Sequence, residues 1–151
     1  MKQNLINAAA LAAFVAAGCW AGALTLQIGN PEANAEAKGL QAALVAEVTA
    51  CHEPAKSVVR ASVVQMSNGV MRRTDLQVVP LKTAGMFAVI GKVPSNSVVD
   101  LVVTNPEYKN YEPRVLLRGG QHGIEWASVR RFYSAPPADS DWKALLGVAV
   151  D

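Results

Sequence analysis

The chain has 151 residues, of which 51% are apolar, 17% charged and only 6% aromatic. A chain this apolar can bury enough surface to offset its ordering entropy, which excludes intrinsic disorder, and its length leaves no room for a second large core. The net charge of +2 is too small to argue for a nucleic-acid surface, and two cysteines with two histidines leave little material for disulfide frameworks or metal centres.

Residues 1–35 read as an export signal. Met1-Lys2-Gln3-Asn4 is a cationic start, Leu5 to Ile28 is apolar, and no charged side chain lies between Lys2 and Glu32. That order is the pattern of a secretory signal, a signal helix ahead of the mature domain. Gly29-Asn30-Pro31 breaks a helix, and Ala33-Asn34-Ala35 then offers small residues at alternate positions for a signal peptidase. The expected cut follows Ala35 and leaves Glu36 as the mature N-terminus. Two alternatives rank below it. Residues 5–28 are long enough to stay uncleaved as a membrane anchor, since about 20 apolar residues span a bilayer. Ala16-Ala17-Gly18-Cys19 offers a lipidation site at Cys19, although Ala16 stands where a lipobox usually has leucine. The expected location is therefore periplasmic or secreted, with membrane contact only through an uncleaved N-terminal segment. After cleavage Cys51 is the only cysteine, so no intrachain disulfide supports the fold.

Residues 36–43 are expected as a linker, irregular or briefly helical. A β-domain over 44–133 follows. Its first strand is expected over 44–51 and ends at His52-Glu53-Pro54. Val58 to Met66 is rich in valine, and Ser67-Asn68-Gly69 turns it into Val70 to Leu81. Asn-Gly between β-branched runs suits a type I′ hairpin, because both residues tolerate positive φ. A break is expected near Thr74-Asp75. Further strands are expected over Met86–Lys92, Val98–Thr104, Arg114–Arg118 and Ile124–Tyr133, separated by turns rich in glycine, proline and asparagine. Val99, Leu101 and Val103 share an inward face, as do Val115 and Leu117, while Arg114 and Arg118 point the other way. Residues 134–151 form a Pro-rich tail in which Asp139-Ser140 caps a short helix through Val148, packing Trp142 and Leu145 on a sheet. About seven strands with breakers every eight to twelve residues indicate an all-β chain of the Ig-like sandwich kind.

Residues 58–117 carry a family pattern. Val63-Val64, Ser67-Asn68-Gly69 and Leu76 to Leu81 form an opening hairpin. Gly85-Met86-Phe87, Gly91-Lys92-Val93-Pro94, Leu101-Val102-Val103 and Pro106-Glu107-Tyr108-Lys109-Asn110-Tyr111 follow in order. This stretch resembles the carboxypeptidase-regulatory-like (transthyretin-like) domains, with Glu107 in place of the usual glycine and Met71-Arg72-Arg73-Thr74 in place of a Pro-x-x-Gly-Ala segment. The resemblance implies a transthyretin-like β-sandwich used as an accessory or adhesive module. It bears on fold, and fold does not fix function.

Chemistry is sparse. Cys51-His52-Glu53 is the densest cluster of reactive types, but neighbours on a strand face opposite sides. Cys51, His52 and His122 are the candidate soft ligands for copper or zinc, with Met66, Met71 or Met86 nearby, yet no spacing matches a closed metal site. The preferred reading is a structural cysteine at a strand end and a polar histidine in a turn, with no metal and no cofactor. Gly-x-Ser-x-Gly, His-Glu-x-x-His and P-loop motifs are missing from the sequence, so no catalytic residue is nominated. Arg72-Arg73, Arg114, Arg118 and Arg130-Arg131, with Tyr108 and Tyr111, suit acidic glycans or lipid head groups. The preferred alternative is a solvated sheet face balanced by Glu112 and Glu125. Gly119 to Gly123 is no phosphate cradle, because no helix follows. Val98 and Val102 are the expected apolar contact patch if exposed. The functional expectation is an exported, non-catalytic β-sandwich module that binds a protein or cell-surface partner, and the alternative is a periplasmic metal-handling domain using Cys51 and His52.

Overall fold

The computed structural model describes residues 24–49 and 53–148. Residues 1–23, 50–52 and 149–151 lie outside that description, and with them Cys19, Cys51 and His52.

Eight strands form one curled antiparallel sheet. They are β1 (Thr25–Gly29), β2 (Leu44–Thr49), β3 (Val58–Ser67), β4 (Val70–Pro80), β5 (Met86–Ile90), β6 (Ser97–Thr104), β7 (Arg114–Gly120) and β8 (Gly123–Phe132). A short helix α1 (Ala35–Gly39) joins β1 to β2, and α2 (Asp139–Leu146) follows β8. The spatial order β1-β2-β5-β4-β3-β6-β7-β8 contains two overlapping Greek keys. The consecutive strands β3, β4 and β5 lie side by side, β6 returns beside β3, and β2 precedes them beside β5.

The curl originates in β4. Its residues 70–76 pair with β3, whereas residues 77–80 pair with β5. One strand thus belongs to both halves of the sheet and turns the corner between them, as strands do where packed sheets meet. The break expected near Thr74-Asp75 does not occur; pairing passes from β3 to β5 without interrupting the strand. The hairpin at Asn68-Gly69 has positive φ at both residues (52° and 75°), as its two-residue loop requires.

Curling encloses the alternate apolar residues of both halves in one core. Leu24, Leu26, Leu44, Ala46, Val48, Phe87 and Val89 from one half join Val59, Ala61, Val63, Val99, Leu101, Val103, Val115 and Leu117 from the other. The inward sets expected for β6 and β7 are therefore in place. Gly119 permits the close passage of the β5–β6 turn, since a Cβ there would lie 2.2 Å from the Pro94 carbonyl oxygen and 2.6 Å from Ser97 Oγ.

Three expectations are set against the fold. First, β1 falls inside the segment expected to be removed or to anchor the chain. Its partner is β2, with Thr25 and Thr49 sharing a side-chain hydrogen bond, and Leu24 and Leu26 are completely buried. Ala33 closes a single 3-10 turn, and Ala35 and Glu36 open α1, which Asn34 caps by accepting from the Ala37 N–H at 3.0 Å. The folded body therefore includes residues 24–35, and the first half of the expected linker 36–43 is the brief helix α1 with buried Ala37. Secondly, Val98 and Val102 are not an exposed patch. The outer face of β3, β6 and β7 is covered by α2, whose Trp142, Leu145 and Leu146 pack on Val64, Val98 and Leu116. Thirdly, the N-cap of α2 is Ala138, not Asp139-Ser140, and the Asp141 carboxylate accepts from the Ala138 N–H at 2.9 Å.

Candidate functional site

Four segments meet at one end of the sheet. β6 ends at Thr104, and β7 begins at Arg114, which pairs with Phe132 of β8. The β6–β7 connection therefore stands beside the chain leaving β8, near the start of β3. Between them lies an open groove of about 700 Å³ lined by Val58, Thr104–Glu112, Arg114 and Phe132–Pro136, with Glu107 the one residue of those runs outside the lining. The connection is pinned at its root. Asn105 is buried, donates from Nδ2 to Ser57 Oγ at 2.9 Å, and accepts at Oδ1 from the Glu107 N–H at 2.9 Å. The latter is an Asx turn, which starts the loop without glycine. Glu107 keeps negative φ, and the loop instead reaches the left-handed region at Asn110 (φ 62°).

All three tyrosines of the chain line this groove. Tyr108 and Tyr111 are half-buried because one side of each packs on the main core, and Tyr133 and Phe132 are half-buried across from them. Burial raises the Tyr111 phenol above its ordinary pKa of 10, and the neighbouring Tyr133 adds to the shift. The site thus offers rigid aromatic faces rimmed by phenol, amide and hydroxyl groups. Concave sites of this volume, apolar with a few placed polar groups, are the common form of small-ligand pockets.

Its charged groups are largely committed to one another. Arg60 stands 3.9 Å from Glu112. Arg114 Nε is 3.4 Å from Oδ1 of Asp100, a fully buried carboxylate on the outer face of β6. Arg73 reaches the same carboxylate from β4, donating at 2.5 Å to Oδ2 and to Ser62 Oγ, and its guanidinium lies over the Trp142 ring, 5.8 Å from the centroid. Asp100 Oδ1 has no hydrogen-bond partner among the described residues, so Arg114 faces it through charge alone. Arg118 pairs loosely with Glu125 at 3.8 Å, and Arg130 with Asp141 at 3.2 Å. Of the counter-charges expected for these arginines, Glu125 faces Arg118, whereas Glu112 faces Arg60, and Arg73 and Arg114 meet instead at the buried Asp100.

The metal candidates fare differently. His122 sits in the β7–β8 turn, bordering a shallow depression over residues 120–125. Glu53, which directly follows the Cys51-His52 pair, accepts from Asn105 beyond the far end of β6. The β7–β8 turn adjoins the opposite end of β6, where Ser97 pairs with Gly119. Glu53 and His122 thus stand at opposite ends of β6, whose eight residues span about 25 Å at the usual rise. Met66 and Met71 form a cross-strand pair near the β3–β4 turn, while Met86 pairs with Glu47 in the other half. Among the described residues no group of three or more His, Cys, Asp or Glu side chains is placed to hold a metal ion.

Sequence reading singled out Tyr108, Tyr111 and Arg114 but missed Phe132 and Tyr133. The available signal was the antiparallel pairing of the last two strands, which brings the end of β8 back beside the start of β7. Asp100 also went unremarked, although an acidic residue between Val99 and Leu101 is unusual in a strand buried on both faces. No protein-family model matches this chain, and no curated protein or solved structure is detectably similar to it.

Proposed function

We propose that this protein is an exported, non-catalytic binding module that holds a cell-surface saccharide in the tyrosine groove. One observation carries the reading: a chain with only three tyrosines places all of them, with Phe132, around a single depression. Aromatic faces stack on the apolar faces of sugar rings, while phenols, Asn110 and Ser134 supply hydrogen bonds at the edges. The pairing of Arg60 with Glu112 and of Arg114 with Asp100 favours a neutral or weakly acidic ligand over a polyanion. Glu112 is the single carboxylate of the lining, whereas glycoside hydrolysis ordinarily uses a pair. As the finer description of the fold we propose a transthyretin-like sandwich of the carboxypeptidase-regulatory-like kind, supported by the Asn68-Gly69 hairpin and the overlapping Greek keys.

Saturation-transfer NMR with a panel of soluble oligosaccharides tests the site. At least one member is expected to bind, and Tyr111→Ala or Tyr133→Ala is expected to weaken it about tenfold, the equivalent of one lost stacking contact of about 1.4 kcal/mol. A panel without binders, or a binder indifferent to both substitutions, refutes the reading.

A further inference from the structure

We infer that the chain is processed by a signal peptidase between Ala23 and Leu24. The inference rests on export, the first part of the proposed function, and it assigns the cut to a bond that the fold tolerates.

The fold sets a downstream limit. Leu24 and Leu26 are both completely buried in the main core, with Ile28 packed against it. Residues 25–29 supply the outer strand that pairs with β2 along its length from Thr49 to Val45. A cut after Ala35 would remove these side chains, expose the β2 edge and split α1 from its cap, Asn34. It would also separate Glu36 from the preceding chain, although Glu36 itself is tied to the body by accepting from the Lys82 N–H at 3.1 Å. A mature protein beginning at Glu36 therefore lacks part of its own core, whereas one beginning at Leu24 keeps every core side chain among the described residues.

The sequence supplies the upstream half. Ala21-Gly22-Ala23 places alanines at the third and first positions before the Ala23–Leu24 bond, the small-x-small pattern that shallow peptidase pockets accept. Ahead of it stand Lys2 as the cationic start and an apolar stretch from Leu5 to Ala17, uninterrupted by charge. The same pattern at Ala33-Asn34-Ala35 is thus a coincidence of two caps and a buried helix turn. The Ala23–Leu24 cut also removes Cys19 and leaves Cys51 as the single thiol of the exported form.

Expression of the full chain in a bacterium with two membranes, followed by fractionation, intact-mass measurement and N-terminal sequencing, tests the assignment. Periplasmic protein beginning at Leu24 is expected. Ala23→Tyr is expected to leave the unprocessed precursor in the membrane fraction, while Ala35→Tyr is processed like the parent. Exported protein beginning at Glu36 or at a lipidated Cys19, or a membrane-held full-length chain from the parent sequence, overturns the cut but leaves export standing. Full-length protein confined to the cytoplasm overturns export itself.

Discussion

Replacing Arg73 by methionine isolates Asp100, the one buried charge among the described residues. The Asp100 side chain is 0% exposed and accepts from Arg73, whose own side chain is 49% exposed. Methionine keeps an unbranched apolar side chain but removes the guanidinium that serves both Asp100 Oδ2 and Ser62 Oγ and lies over the Trp142 ring. The carboxylate then retains only Arg114, at 3.4 Å from the other oxygen and without a hydrogen bond to it. Breaking a buried pair by removing one partner usually costs about 3–5 kcal/mol. Half-exposure of Arg73 and the remaining Arg114 place this case near about 3 kcal/mol, a large share of an ordinary domain's stability. That loss corresponds to a fall in Tm of roughly 10 °C for a body of this size. Asp100→Asn removes the charge itself and leaves two arginines that can reach water, so its expected cost is smaller, about 1–2 kcal/mol. Combining Arg73→Met with Asp100→Leu takes out the charge and its partner together, and is expected to recover most of the loss. Urea and thermal unfolding of the four proteins at pH 7, with unchanged m-values, measure the series. An Arg73→Met cost below about 1 kcal/mol, or a double variant no more stable than Arg73→Met alone, would refute the account of Asp100 as a buried carboxylate dependent on Arg73.

Leu26→Ala should destabilise the body by about 2–5 kcal/mol in the same unfolding assay, because Leu26 is fully buried in the main core; a neutral result would mean β1 is dispensable. Trp142→Ala should cost about 3–5 kcal/mol and increase hydrogen exchange along α2 and at Leu116, since Trp142 anchors the helix on Val64, Val98 and Leu116. The raised pKa of Tyr111 means that the unfolded chain loses that proton first, so its contribution is intact below pH 10 and is lost as the pH rises toward the folded value. Ultraviolet titration should accordingly show a late phenolate component that Tyr111→Phe abolishes. Gly119→Ala should lower Tm clearly, because its Cβ would collide with the backbone at Pro94 and so cannot be relieved by a side-chain rotation.

Much of the sheet was legible along the chain because the signals are local. Alternation fixes which side of β6 and β7 carries Val99, Leu101, Val103, Val115 and Leu117, and Asn68-Gly69 encodes its own turn. The β8 strand was less legible. Arg118 pairs with Glu125 while Leu116 pairs with Arg130, so three extra residues bulge from β8, held where the Arg118 N–H donates to Ser128 Oγ and that hydroxyl donates to the Glu125 carbonyl. Nothing in a period-two pattern announces such a bulge. In the groove, Tyr108 and Tyr111 stand out in one loop, but Tyr133 joins them only through the β7–β8 pairing.

Composition, turn chemistry and the alternation of valines suffice for an all-β body with an inward and an outward face, since each depends on contacts a few residues apart. The outcome for residues 24–29 depends instead on a partner 24 residues away, Thr49 for Thr25. An apolar segment reads alike as signal or strand until a second strand satisfies its backbone and a core receives Leu24 and Leu26. The same holds for Asp100, whose charge is tolerable only beside Arg73, 27 residues upstream, and for the groove, which exists only where the ends of four strands converge. Long-range pairing, not local preference, supplies the energy in each of these cases.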